Sequence, residues 1–149
     1  MGIPSYFSQL VRNHGKVIKK MKNLNVHNFY LDSNSIIYDC LRKIISDGIE
    51  NNFEKKLISR VCKKIDEYIK LFEPENRVII AFDGVAPVAK LEQQRNRRYK
   101  SVLDKQYMEE YFEKTEKTWD KTAITPGTNF MNTLTNYVTE YYKKKKGSL

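Results

Sequence analysis

The sequence predicts an α/β domain in which a parallel sheet is flanked by helices, and three observations lead there. Residues 28–32 (Asn-Phe-Tyr-Leu-Asp) and 77–82 (Arg-Val-Ile-Ile-Ala-Phe) are runs of strand length rich in aromatic and branched side chains. Between them lie two stretches whose apolar residues recur with helical period. The second strand is apolar without a break from Val78 to Phe82, the composition of a strand buried on both faces, as in a parallel sheet.

Along residues 5–22, apolar positions Tyr6, Phe7, Leu10, Val11, Val17, Ile18 and Met21 follow a helical period interrupted near Gly15, which predicts a helix and then a second short one. The strand at 28–32 delivers Asp32 to the start of a helix over 35–45. Gly48 breaks that pattern. It resumes over 51–72, where Leu57, Ile58, Val61, Cys62, Ile65, Ile69 and Phe72 form one long apolar face. Glu73-Pro74-Glu75-Asn76 ends the helix and leads into the strand at 77–82. Residues 86–121 are helical in pattern and heavily charged, with Tyr107, Met108, Tyr111, Phe112 and Trp119 interspersed as packing residues, which predicts a long helix projecting in part from the domain. Thr125-Pro126-Gly127-Thr128 is a turn with a hydroxyl able to cap a final helix over 130–143, read through Met131, Leu134, Tyr137, Val138 and Tyr141. No internal repeat is visible, and the lysine run at 143–146 reads as a solvated terminus that adds weak, nonspecific affinity for nucleic acid.

A chain of 149 residues with 40% hydrophobic and 12% aromatic content is sufficient for one domain with its own core. Its 27 basic against 18 acidic residues give a net charge of +9, which favours RNA, DNA or acidic membrane surfaces as partners without choosing among them. The longest apolar run falls far short of the roughly 20 residues that span a bilayer, and no apolar signal-peptide region follows Met1. The expectation is a soluble intracellular protein, in cytoplasm or nucleus. Met1-Gly2 does not make a myristoylation site, since Tyr6 stands where Ser or Thr is required. Cys40 and Cys62 lie in apolar helical patterns with no His or Cys at ligand spacing, so both read as buried, reduced thiols.

Two aspartates and one helical stripe carry the chemistry. In a parallel sheet both strands end at the same edge, so Asp32 and Asp83 meet where ligands usually bind. Taken singly, each has a plain alternative: Asp32 as the cap of the next helix, Asp83-Gly84 as a turn. Together at one edge, two carboxylates repel unless a cation such as Mg²⁺ or Mn²⁺ lies between them, and such an ion activates water and stabilises a leaving oxygen in phosphodiester cleavage. Lys90, Gln94, Arg97 and Arg98 follow at i, i+4, i+7 and i+8, which aligns them on one face. A solvated face is the alternative; against it, the arginine forks suit bidentate phosphate contacts. Tyr38, six residues after Asp32, is either a packing residue or a base-stacking ring. Neither His14 nor His27 has a sequence neighbour that would make it a general base.

Four collinear segments then carry a resemblance: Met1-Gly-Ile-Pro-Ser-Tyr-Phe; Phe29-Tyr-Leu-Asp-Ser-Asn-Ser-Ile-Ile; the twenty residues from Ile80-Ala-Phe-Asp-Gly-Val-Ala-Pro through Arg97-Arg98-Tyr99; and Ile124-Thr-Pro-Gly-Thr-Asn-Phe-Met. In order and approximate spacing, over nearly the whole chain, they resemble the N-terminal part of the Xrn family of 5′→3′ exoribonucleases. The resemblance implies a PIN/flap-nuclease-like fold and processive degradation of RNA from a 5′-monophosphate end with Mg²⁺ or Mn²⁺. It also implies Asp32 and Asp83 as metal ligands and Lys90, Gln94, Arg97 and Arg98 as the 5′-phosphate pocket. Where the family usually carries a histidine that stacks on the first base, this chain has Tyr38, which keeps an aromatic face and loses the imidazole. The family's acidic cluster is completed by a Gly-Glu-Gly-Glu segment and further aspartates that are not present up to Leu149. The expectation is therefore a C-terminally incomplete nuclease domain with an exposed sheet edge and poor stability, needing a continuation or a second chain. Three functions follow: a nuclease half-site, a catalytically incomplete RNA 5′-phosphate-binding module, or an interaction protein that merely keeps the core.

Overall fold

Two five-residue strands, β1 (Asn28–Asp32) and β2 (Arg77–Ala81), pair in parallel with Asn28 opposite Arg77 and Asp32 opposite Ala81. The computed structural model describes residues 3, 5–19, 25–46, 52–112 and 119–146. Before the sheet come α1 (Tyr6–Asn13) and a 3₁₀ turn at Gly15–Val17, divided near Gly15 as the broken period predicts. The crossover from β1 to β2 consists of α2 (Asn34–Ser46) and α3 (Phe53–Phe72); the long α4 (Val88–Phe112), a 3₁₀ turn (Lys121–Ala123) and α5 (Asn129–Lys146) follow. The expected helix end at Met21, the break at Gly48, the side chains of Met108 and Phe112 and the chain end after Lys146 lie outside the described residues.

The helices interlock by their apolar stripes. Ile36, Ile37, Cys40, Leu41 and Ile44 of α2 face Leu57, Ile58, Val61, Cys62 and Ile65 of α3, and Phe130, Met131, Leu134 and Val138 of α5 complete the core. Leu31, Ile80 and Phe82 pack their half-buried side chains onto it from the sheet. Both cysteines are buried and reduced, as their setting predicts, and burial pushes the Cys62 thiol up to about 11, with Asp66 adding to the shift. The Thr128 hydroxyl accepts from the Met131 amide at 3.3 Å and so caps α5, in a turn that Gly127 enters at φ +86°. Trp119 packs against Phe53 and Phe130, with ring centroids 5.5 and 5.0 Å away.

Three expectations need correction. The second strand is not buried on both faces: exposed and half-buried residues alternate along it, Ile79 is 38% exposed and Tyr30 beside it in β1 is 63% exposed. The reason is that α2, α3 and α5 cover one face of the two-stranded sheet and no described element covers the other. The apolar period of α1 likewise buries nothing, and Phe7 is 70% exposed. Finally, the charged helix is described only to Phe112, and Trp119 belongs to the segment before the 3₁₀ turn. There Asp120 accepts from both the amide and the hydroxyl of Thr122 at 2.9 and 2.6 Å, a local turn that competes with helix. No described side chain of α4 belongs to the core, as expected of a projecting helix. No described helix is long and apolar enough to cross a membrane.

One carboxylate ties α5 to α3. Asp66 accepts hydrogen bonds from the hydroxyls of Tyr141 and Tyr142 at 2.6 and 2.9 Å and from Lys145 Nζ at 2.8 Å. Burial pushes this carboxyl up, but the bonds from Lys145, Tyr141 and Tyr142 outweigh it and hold it below the usual carboxylate range. Chiefly through its bond to Asp66, Tyr141 is pushed up to about 12. A depressed acid stabilises the fold above its unfolded pKa and loses that contribution as pH falls through the folded value; a raised phenol contributes below about 10 and loses it as pH climbs towards 12. Denaturant unfolding across pH is therefore expected to show stability falling below about pH 4 and above about pH 10. Asp66→Ala should cost about 2 to 3 kcal/mol at neutral pH and weaken both limbs, since charge-assisted bonds are worth about 1.5 to 3 kcal/mol.

Candidate metal and phosphate site

Both strands point their C-terminal ends at one edge. The Ser33 amide donates to the Ala81 carbonyl at 2.8 Å, extending the ladder one step past Asp32, and the Ser33 carbonyl then accepts from Ile36 and Ile37 as α2 begins. Because Asp32 pairs with Ala81, and Asp83 lies two residues on, the two acids reach the same edge from adjacent strands. Together they line a concavity of about 450 Å³, with Tyr30, Leu31, Ile79, Ala81 and Phe82.

The two aspartates are held differently. Asn34, the first residue of α2, donates through Nδ2 to Asp83 Oδ2 at 3.0 Å, and its Oδ1 accepts from the Asp83 amide at 3.0 Å. This two-point clasp fixes both the backbone and the carboxylate of Asp83 across 49 residues of sequence. The Asp32 carboxylate has no hydrogen-bond or ion-pair partner among the described residues; its backbone carbonyl accepts from the Ser35 hydroxyl at 3.4 Å. An exposed acid that caps no helix and pairs with no cation is left open to an external ligand.

In donor type the site fits a hard divalent cation, since carboxylate oxygens suit Mg²⁺ and Mn²⁺. In number it is short. Among the described residues no group of three His, Cys, Asp or Glu side chains is placed to hold a metal ion. Asp32 and Asp83 would supply two ligands, leaving the others to water, substrate or further carboxylates.

The basic stripe begins where the loop after Asp83 becomes α4. Pro87 starts that helix, with its carbonyl accepting from the Lys90 and Leu91 amides at 2.8 and 3.2 Å. Lys90, Arg97 and Arg98 are exposed and Gln94 is half-buried, and the four extend over about 12 Å of helix axis. None of the three cations has a carboxylate partner among the described residues, which distinguishes this face from an ordinary salt-bridged helix surface. None of the four lines the concavity that holds the aspartates. Tyr38, on α2 and 40% exposed, does not line it either. His27 gains a partner that sequence spacing did not reveal, Glu75 at 3.7 Å, at the end of the strands opposite the aspartates.

Comparison with known proteins places the chain in a family. The profile of the family described as XRN 5'-3' exonuclease N-terminus matches residues 1–148. The 5'-3' exoribonuclease 1 of Saccharomyces cerevisiae is 31% identical over 144 residues, 91% of this chain and 9% of that protein. The 5'-3' exoribonuclease 2 of Candida glabrata is 31% identical over 90% of this chain and 17% of its own length, and that of Schizosaccharomyces pombe 28% identical over 99% of this chain and 19% of its own. The chain thus spans between about a tenth and a fifth of the length of these relatives.

The two aspartates should respond differently to neutralisation. Asn34→Ala removes both bonds to Asp83 and is expected to lower stability by about 1 to 2 kcal/mol. Asp32→Asn removes no contact and should shift stability by less than about 0.5 kcal/mol, as surface substitutions without partners do. Parallel denaturant titrations measure both; a large loss in Asp32→Asn would mean that its carboxylate serves the fold.

Proposed function

Because the chain belongs to the family of XRN 5'-3' exonuclease N-termini, we propose that it is the part of a 5′→3′ exoribonuclease domain that grips the RNA 5′ end and carries half of its acidic site. Asp32 and Asp83 hold Mg²⁺ or Mn²⁺; Lys90, Gln94, Arg97 and Arg98 take the terminal 5′-monophosphate; and the exposed ring of Tyr38 offers a surface for the first base. The observation that carries this reading is the meeting of Asp32 and Asp83 in one concavity, the second clasped by Asn34, with an unpaired cationic stripe beginning seven residues further on.

When bound, the divalent cation supplies an activated water and charge stabilisation for phosphodiester hydrolysis. The chain's own part is positional. Asn34 fixes the Asp83 carboxylate, Asp32 leaves its oxygens available, and the planar guanidinium forks of Arg97 and Arg98 orient a phosphate that a lysine alone would bind without direction. A monophosphate matches this stripe in charge, whereas a 5′ hydroxyl leaves its cations without a partner. The remaining carboxylates would come from a continuation of the chain or from a second chain.

A second reading is favoured by one observation, the shortage of acidic ligands among the described residues: a module that binds 5′-phosphorylated RNA without cutting it. A gel time course with Mg²⁺ or Mn²⁺ on RNAs differing only in a 5′ monophosphate or hydroxyl separates the two. The nuclease reading expects monophosphate-dependent release of mononucleotides, abolished in Asp83→Ala. The module reading expects no cleavage, but about 10- to 100-fold tighter binding of the monophosphate end, lost in the Arg97→Ala/Arg98→Ala variant and kept in Asp83→Ala. Equal affinity for both ends would overturn the pocket assignment in either case.

A further inference from the structure

A second concavity, of about 470 Å³, lies between α2 and α3 and shares no residue with the strand-end site. Five cationic side chains line it: Lys43 from α2, and Lys56, Arg60, Lys63 and Lys64 from α3. Two acids accompany them, and both are engaged: Asp39 by Arg42, and Glu67 by Lys64 at 2.6 Å. Lys43 and Lys63 have no carboxylate at ion-pair distance among the described residues.

Cations of both helices act on groups at the rim and at the floor of this groove. The bond from Lys64 holds the Glu67 carboxyl below its usual range, with Lys43 and Arg60 adding to the effect. At the floor, burial pushes the Cys40 thiol up, with Asp39 adding to the shift, while Arg60, Lys43 and Lys64 pull it the other way. Cations from both helices therefore act on one space.

We propose that this groove is a second anion site, a track for the phosphodiester backbone of single-stranded RNA, separate from the strand-end aspartates. Length favours RNA over a compact phosphate. The lining positions on α3 run from Lys56 to Glu67, about 16 Å of helix axis, with cations recurring at roughly one-turn intervals of about 6 Å. Among the described residues no aromatic ring lines the groove, so its contacts are with backbone charge. The Ser59 hydroxyl adds a neutral donor among the cations. The proposal deepens the reading of the chain as an RNA-binding domain and gives it a contact that does not depend on the 5′ end.

Fluorescence anisotropy of the whole chain with labelled oligoribonucleotides, carrying a 5′ hydroxyl or a 5′ monophosphate, tests it across a range of salt. Charge reversal of two exposed residues, Lys43→Glu/Lys63→Glu, is expected to weaken binding of the 5′-hydroxyl RNA at least tenfold. It should also reduce the salt slope by about 1.4, two contacts at about 0.7 each. The ratio of 5′-monophosphate to 5′-hydroxyl affinity should stay unchanged, because the α4 stripe is intact. The Lys43→Gln/Lys63→Gln variant, with its melting curve as a check of folding, should show the same reduction in slope and a smaller loss of affinity. Undiminished affinity and slope for the 5′-hydroxyl RNA in both folded variants would overturn the groove. So would competition by polyglutamate at the same charge concentration as effective as by RNA, which would mark an acidic protein partner instead. Failure of the 5′-end reading shows differently, as a wild-type affinity ratio of one.

Discussion

The parallel register of β1 with β2 is the constraint on which the rest depends. Asp32 stands opposite Ala81, and a slip of one residue would turn every side chain of a strand to the other face. Asp32 would then point into the core and Leu31 out of it. Two features hold the register at the aspartate end: the bond from the Ser33 amide to the Ala81 carbonyl and the clasp between Asn34 and Asp83. At the other end, the Glu75 and Asn76 amides donate to the Val26 and His27 carbonyls, and the Asn76 side chain donates to Asn28. The residue that starts α2 thus aims the second aspartate, so the packing of the crossover and the placement of the acidic pair are linked.

The helical layer supplies what a two-stranded sheet cannot supply for itself. Two strands bury too little to be stable alone, and here α2, α3 and α5 carry nearly all of the fully buried side chains. The Asp66 clasp places the end of α5 against α3, and the packing of Phe130 and Leu134 places its start. The layer lies on one side only. Tyr30 and Ile79 therefore stand on a sheet face that no described element covers, beside the acidic pair, and none of the described side chains of α4 joins the core. This asymmetry separates a half built on helix packing from a half built on strand ends and charge.

What was legible in the sequence follows from the range of each interaction. Local periodicity places β1, β2, α3 and α5 within a few residues, because side-chain spacing of two or nearly four is a property of the segment itself. The parallel pairing follows from the order strand, helices, strand, and with it the meeting of Asp32 and Asp83. The second strand departs from its expected burial because an apolar run signals where a strand prefers to lie, while the number of layers around it is set by the rest of the fold. Asn34 escaped for a related reason: at a helix start an asparagine reads as a local cap, and nothing in its neighbourhood signals a partner 49 residues away. The basic groove between α2 and α3 was equally hidden, since Lys43 and the cations of α3 are dispersed in sequence and converge only when the two helices pack.

The central claim is that Asp32 and Asp83 act as one ligand pair. Titration of the chain with Mn²⁺, followed by loss of the free-ion electron paramagnetic resonance signal, tests it in wild type, in Asp32→Asn, in Asp83→Asn and in the double variant. A shared site predicts that either single substitution removes most of the binding and that the double variant loses little more. Independent, additive losses, or Mn²⁺ binding unchanged by either substitution, would contradict it.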